Sequence, residues 1–137
     1  MIVVDNDVIS YFWIQMDTGR SAPARRVREK EPEWAAPRLW RSEFRSVLRG
    51  YMAGGYMSLD EAIGFARDAE ADLADHTYDV ESRDVLQLVN GSGHSAYDCE
   101  YVALAQRLGV PLVTGDKRLA QVFPETAVLL EAYAEGQ

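Results

Sequence analysis

The stretch SAYDCEYVALAQRLGVPLVTGDKRL, residues 95–119, predicts a helix that runs through a turn into a strand. Residues three and four apart on a helix lie on the same face. From Asp98 that spacing reaches a set of mainly apolar side chains, which predicts a buried face: Tyr101, Val102, Ala105 and Leu108. The segment GVPLVTGD then has the composition of a buried strand that ends near Asp116. The stretch therefore favours an α/β fold.

The same alternation of strands and helices continues along the rest of the chain. Strands are predicted at MIVVD, EWAAP and HTYDV, and AVLLEAY is either a last strand or a strand followed by a helix. Helices are predicted over NDVISYFWI, near residues 22–30, at about 38–52, from the cap Ser58 to about residue 74, near 82–89 and over KRLAQVF. The sequence thus predicts a three-layer α/β/α domain with a parallel-rich central sheet.

The length and composition favour one soluble domain. The 137 residues fit a single domain spanning 1–137. The start MIVVDND lacks the basic residues of a signal peptide, and no later run approaches the roughly 18 apolar residues of a membrane span. A cytoplasmic protein without membrane contact is expected. Cys99 is the only cysteine, which excludes an intramolecular disulfide.

The charge of the chain is unevenly spread. The formal net charge is −8, but residues 20–50 hold nine basic and four acidic residues, a local charge of +5. Within this segment, Arg41, Arg45 and Arg49 follow one another at helical spacing of four. Like charges at that spacing destabilise a helix unless something anionic binds them. This basic ridge (Arg41, Arg45 and Arg49) is a candidate RNA phosphate contact, although a solvated surface explains the charge as well.

The carboxylate at the start of the opening helix allows two interpretations. Ser95 is a good N-cap, and Asp98 three residues later has the spacing of a capping box. Asp98 also begins the predicted buried face, where an ionised side chain needs a partner. The sequence around Asp98 leaves the choice between a cap and a ligand open.

Three further acidic residues are predicted to come close to Asp98. Asp5 follows the strand IVV and Asp116 follows PLVT, so both should lie at the carboxyl edge of a parallel sheet, where ligands bind. Asp5 could instead only open a turn, and Asp116 could only cap the helix that follows it. Glu43 borders an apolar helix stripe that includes Phe44. Because gathered carboxylates repel one another, and because oxygen ligands favour hard cations, the four residues predict a magnesium or manganese site.

The order of four motifs, VVDND, RSEFRSVL, SAYDCEYVALA and PLVTGDKRL, resembles that of PIN-domain ribonucleases, and closely that of the toxins of VapBC toxin–antitoxin pairs. The resemblance implies a PIN-like fold and a type II toxin that is a magnesium-dependent endoribonuclease, a hydrolase of RNA phosphodiesters. It implies that a quartet binds the metal: Asp5, Glu43, Asp98 and Asp116. Thr114 would support the last Asp, and the partners implied are RNA, a VapB-like antitoxin and a second copy of the chain. Glu43 is either a ligand or the acceptor that orients the attacking water.

One position departs from the family pattern. Two residues after Asp5 the family usually has a small hydroxyl or amide residue, and here it is Asp7. Asp7 either adds a fifth carboxylate or caps the first helix, and the cap is the preferred interpretation. His94 is interpreted as a polar loop residue, and no role is predicted for His76.

Two other functions compete with the nuclease hypothesis. VVDND after a strand is also similar to the D-x-D nucleophile motif of HAD-type phosphatases, but no Gly-Thr follows the second Asp. A PIN-like module that binds RNA or a protein without cutting is the other alternative. Formation of an acyl-phosphate would favour the phosphatase, and metal-dependent RNA cleavage would exclude the non-cleaving module.

Overall fold

The fold is built on a sheet of short parallel strands. The computed structural model describes residues 1–16 and 19–136. In these residues five strands form one sheet in the order β3-β2-β1-β4-β5, all parallel. The strands are β1 (Ile2–Val4), β2 (Trp34–Pro37), β3 (Thr77–Tyr78), β4 (Leu112–Thr114) and β5 (Ala127–Leu129).

Helices alternate with these strands. They are α1 (Asn6–Trp13), α2 (Ser21–Lys30), α3 (Trp40–Ala53), α4 (Leu59–Leu73), α5 (Ser82–Ser92), α6 (Ala96–Leu108), α7 (Lys117–Val122) and α8 (Leu130–Glu135). A 3₁₀ turn, Ala74–His76, links α4 to β3. The strand-then-helix interpretation of AVLLEAY is confirmed by β5 and α8.

The sheet is covered by helices on both faces. Every residue of β1, β2 and β4 is buried, as expected for a parallel sheet between two helical layers. Helix α6 packs on β1, β2 and β4 with α5 against it, whereas α1 contacts α2, α3 and α4. The predicted three-layer α/β/α fold with a parallel sheet is confirmed.

The predicted helix faces are also found. On α6, Tyr101, Val102 and Ala105 are buried, and Leu108 is partly buried at the end of the face. The end of α5 differs from the prediction, since the helix continues three residues beyond Val89. Gly93 ends it with a left-handed φ of 69°, a conformation that glycine adopts without strain.

Among the helices in residues 1–16 and 19–136, none combines the length and the apolar character needed to cross a bilayer.

Candidate metal centre

The candidate site lies where two neighbouring strands end. Strands β1 and β4 pair directly, with Val4 beside Val113, so the residues that follow them meet at one edge of the sheet. Buried Thr114 joins the two sides. Its Oγ1 donates to Asp5 Oδ2 at 2.6 Å and accepts from the Asp116 backbone N–H at 3.0 Å. Thr114 therefore fixes both the Asp5 carboxylate and the backbone of Asp116. The resemblance implied only that Thr114 supports Asp116.

Asp5 is the N-cap of α1. Its Oδ1 accepts from the Asn6 N–H at 2.8 Å, and the residue is only 8% exposed. Burial raises the pKa of Asp5 well above its ordinary value, and the neighbouring charges of Asp7 and Asp98 raise it further. The ionised Asp5 carboxylate is thus held in an electrostatically unfavourable position, and a nearby cation would offset that unfavourable free energy.

The preferred interpretation of Asp7 as the cap of α1 is wrong. The helix begins at Asn6, two residues earlier than that interpretation requires, so Asp5 takes the cap position. The Asp7 carboxylate instead accepts from the Gly115 N–H, with both oxygens at 3.1 Å. A Cβ on Gly115 would lie 2.6 Å from Asp7 Oδ2 and 2.7 Å from an Arg20 nitrogen. Gly115 therefore permits a fifth carboxylate to approach the end of β4.

Asp98 makes only half of the expected capping box. Ser95 Oγ accepts from the Asp98 N–H at 3.1 Å, as in a box. The Asp98 carboxylate does not return to the Ser95 backbone, and its Oδ2 lies 3.2 Å from Nε2 of His94 instead. The side chain is therefore directed at the site rather than used to close the cap.

Asp116 both caps a helix and faces the site. Its Oδ1 accepts from the N–H groups of Arg118 and Leu119 at 2.9 and 3.2 Å, so the predicted cap of α7 is present. In the part of the chain that the structure describes, ligand atoms of His94, Asp98 and Asp116 all lie within 4.8 Å of one another. This group is called the His94 trio below.

Glu43 approaches from α3 and, like Asp5 and Asp7, is not a member of the His94 trio. Its Oε1 accepts a hydrogen bond of 2.6 Å from the hydroxyl of buried Tyr101. Burial raises the pKa of Glu43, and the charges of Asp98 and Glu100 add to that effect. Burial also raises the pKa of Tyr101, so its hydroxyl stays protonated and donates.

Two arginines of the basic ridge form ion pairs with a carboxylate of the same chain. Arg41 and Arg45 lie 3.3 and 3.7 Å from the carboxylate of Glu70 on α4. The repulsion between these two arginines is therefore relieved by Glu70, and their spacing alone no longer requires a bound RNA phosphate. Arg49 is exposed one turn further along α3.

Three residues of the site were not found from the sequence. The sequence predicts only a loop residue at His94, and because His94 precedes the N-cap Ser95, helical spacing does not predict its approach to Asp98. Tyr101 was assigned only to the core, and the sequence contains no signal that its hydroxyl meets Glu43, 58 residues away. Gly115 was not singled out at all.

The residues present fit a divalent cation. Asp5, Asp7 and Glu43 have pKa values raised first by burial and then by neighbouring carboxylates. Such a site holds its charges more readily once a cation is bound. The donors are carboxylate oxygens with one imidazole nitrogen, which suits magnesium or first-row transition ions.

The chain was compared with known proteins. The family model of the PIN domain matches residues 2–123. Ribonuclease VapC3 of Pyrobaculum aerophilum is 30% identical over 132 residues, covering 90% of this chain and 95% of that protein. Ribonuclease VapC1 of Mycobacterium tuberculosis is 38% identical over 104 residues, covering 74% of this chain and 77% of that protein.

The fold has a solved counterpart. The crystal structure of PAE2754 from Pyrobaculum aerophilum superposes with a TM-score of 0.71, covering 97% of this chain and 92% of that one, at 19% identity. Together with the family model, these relatives confirm the PIN-domain class that the order of the sequence motifs indicated. The chain belongs to the PIN-domain family.

Proposed function

We propose that this chain is a metal-dependent endoribonuclease and the toxin of a type II toxin–antitoxin pair of the VapBC kind. The observation that carries the proposal is that Asp98 and Asp116 lie close together beside His94, while Thr114 links Asp5 to the backbone of Asp116. The names of the relatives, Ribonuclease VapC3 and VapC1, support the activity.

Asp5, Asp98 and Asp116 would hold the cation. A divalent ion bound there supplies positive charge that stabilises the negative charge developing on the phosphoryl oxygens during hydrolysis. Thr114 keeps the Asp5 carboxylate and the Asp116 backbone in register, so the two sides of the site stay at a fixed separation. Asp7 adds negative charge beside them and is held by the Gly115 N–H.

Glu43 is proposed to orient the attacking water rather than to bind the ion directly. The Tyr101 hydroxyl donates to Oε1 and occupies one of its lone pairs. The remaining lone pairs of the carboxylate can accept a hydrogen bond from water. Because burial raises its pKa, Glu43 is also better able to accept a proton than an exposed carboxylate is.

The match to the PIN-domain family and the relatives named as ribonucleases favour the nuclease over the phosphatase alternative. A non-cleaving module and the proposed nuclease differ only in whether the bound RNA is cut, so a cleavage experiment has to separate the two.

The test is cleavage of end-labelled structured RNA by purified protein. EDTA should abolish cleavage, and added Mg²⁺ or Mn²⁺ should restore it. The Asp98→Asn protein, purified in the same way, controls for contaminating nucleases. Cleavage that survives thorough chelation would contradict the metal mechanism, and metal-dependent RNA binding without any cleavage would favour the non-cleaving module.

The partners are part of the same proposal. A VapB-like antitoxin encoded beside this chain should restore growth when both are expressed, and the toxin should act in the cytoplasm, where its RNA targets are. A homodimer and a single nuclease domain over residues 1–137 stay predictions, which sedimentation and limited proteolysis can test. Of the basic ridge, Arg49 is the best candidate for a phosphate contact because Arg41 and Arg45 share Glu70.

A further inference from the structure

His94 is a nearly buried polar side chain beside the proposed cation site. Its side chain is 10% exposed, and Nε2 lies 3.2 Å from Asp98 Oδ2. His94 also belongs to the His94 trio, whose ligand atoms lie within 4.8 Å of one another. An imidazole is thus directed at two of the three carboxylates that are proposed to bind the ion.

The position of this imidazole is fixed by contacts outside the trio. The His94 backbone N–H donates to Ser92 Oγ at 3.0 Å, directly after the left-handed turn at Gly93. The ring meets Phe123 edge-on, with centroids 6.1 Å apart and planes at 71°. Attraction to Asp98 is therefore not the only reason for the orientation of the ring, which is arranged before any ion binds.

The spacing suits two ligands of one ion. Ligand atoms at about 2.1 Å from a metal and about 90° apart are about 3 Å from each other. The 3.2 Å between His94 Nε2 and Asp98 Oδ2 is close to that value. Imidazole nitrogen binds first-row transition ions well, whereas Mg²⁺ is bound mainly by oxygen.

We propose that His94 Nε2 is a direct ligand of the cation and makes the site select Mn²⁺ over Mg²⁺. This inference rests on the proposed metal-dependent function, which it deepens by naming a nitrogen ligand and an ion. It replaces the interpretation of His94 as a polar loop residue and the all-oxygen site expected from the sequence. The alternative is that His94 only pairs with Asp98 and never contacts the ion.

The decisive measurement is pulsed electron paramagnetic resonance of bound Mn²⁺. Tag-free protein, loaded with Mn²⁺ at mildly alkaline pH, should show electron spin echo modulation from a coordinated imidazole nitrogen. The signal should change when the protein is grown with ¹⁵N-histidine. The chain has two histidines, and His76 lies near Glu33, away from the trio. His76→Gln should therefore retain the signal, and His94→Gln should lose it.

Calorimetry tests the selectivity. Relative to the native chain and His76→Gln, His94→Gln should weaken Mn²⁺ binding by about tenfold or more and Mg²⁺ binding by less than about threefold. Equal weakening of both ions would overturn the selectivity. Mn²⁺ bound without histidine nitrogen modulation, in the native chain or in His76→Gln, would overturn His94 as a ligand. That result does not depend on whether His94→Gln folds.

The two proposals fail in different ways. If Mn²⁺ binds with the nitrogen signal but RNA is not cut, the ligand inference stands and the nuclease proposal fails. If RNA is cut in a metal-dependent way without the nitrogen signal, the nuclease proposal stands and His94 is not a ligand. If neither Mn²⁺ nor Mg²⁺ binds, both are overturned.

Discussion

Helices α4 and α6 begin with the same local chemistry and use it differently. At α4, Ser58 Oγ accepts from the Glu61 N–H, and Glu61 Oε1 accepts from the Ser58 N–H, which closes a full capping box. At α6, Ser95 Oγ accepts from the Asp98 N–H, but the Asp98 carboxylate turns to His94. A serine followed three residues later by an acidic residue is therefore compatible with two different roles.

The acidic residues at the N-termini of α4 and α6 also differ in their electrostatic effects. Glu61 is exposed, and the hydrogen bonds with Ser58 lower its pKa, so its charge is satisfied locally. The charge of Asp98 acts on others, because it raises the pKa values of Asp5 and Glu43. Asp98 therefore acts on the candidate site, whereas Glu61 acts on its own cap. The comparison can be tested in four ways.

The largest effect is expected on catalysis. Asp98→Asn should lower the rate of RNA cleavage by about 100-fold or more, because it removes one proposed cation ligand. Glu61→Gln, the matched change at α4, should leave the rate unaltered. Cleavage assays at saturating Mg²⁺ measure both. Full activity in Asp98→Asn would show that Asp98 is only a cap residue.

The next effect concerns stability and its dependence on pH. Burial raises the pKa of Asp7 from 3.8 to about 6, so an ionised Asp7 destabilises the folded state above about pH 6. This penalty fades as the pH falls through 6 and is absent below about 3.8, where Asp7 is protonated in both states. In EDTA, Asp7→Asn should therefore raise the free energy of unfolding by at most about 3 kcal/mol near neutral pH, and by little near pH 4.

The matched control for Asp7 is Asp60 in the first turn of α4. Asp60 is exposed, and its charge is favoured by the helix dipole. Asp60→Asn should therefore destabilise the protein slightly, by about 0.5 kcal/mol. Urea unfolding at the two pH values measures both variants. The same sign for the two substitutions near neutral pH would contradict the difference between the site and the cap.

A smaller effect is expected from the caps themselves. Ser58→Ala and Ser95→Ala should each cost about 1 kcal/mol. Only the full box should show coupling, so a double-mutant cycle of Ser58 with Glu61 should be non-additive. The cycle of Ser95 with Asp98 in EDTA should be additive. Equal coupling in the two cycles would mean that Asp98 closes its cap in solution.

The smallest effect is expected on RNA affinity. Helix α4 also supplies Glu70, which neutralises part of the basic ridge. Glu70→Gln should tighten RNA binding by about 2–5-fold at low salt, and Arg49→Ala should weaken it and flatten the salt dependence by about one charge. Filter binding at several salt concentrations tests both. An unchanged salt slope in Arg49→Ala would leave the ridge as a solvated surface.

The sequence could predict what depends on local pattern. The buried face of α6 follows from helical spacing, and the strand ends before Asp5 and Asp116 follow from runs of apolar residues closed by turn signals. The cap of α7 by Asp116 belongs to the same group, since the side chain binds N–H groups only two and three residues away.

What the sequence could not predict depends on contacts between distant segments. Asp7 binds an N–H 108 residues away, so a rule about helix starts assigned it wrongly to the cap. The partner of Arg41 lies 29 residues further on, in another helix. The direction of His94 is decided by the left-handed turn at Gly93 and by Phe123.

The central place of β1 in the sheet determines when the site can form during synthesis. Asp5 directly follows β1, but β1 pairs with β4, which lies about 110 residues later in the chain. Such distant pairings form late, because a long loop must close before the contact is gained. A ribosome-bound chain that stops before β4 has an unpaired edge on β1 and lacks both Thr114 and Asp116. The proposed cation site therefore cannot assemble before β4 and the residues that follow it have been made.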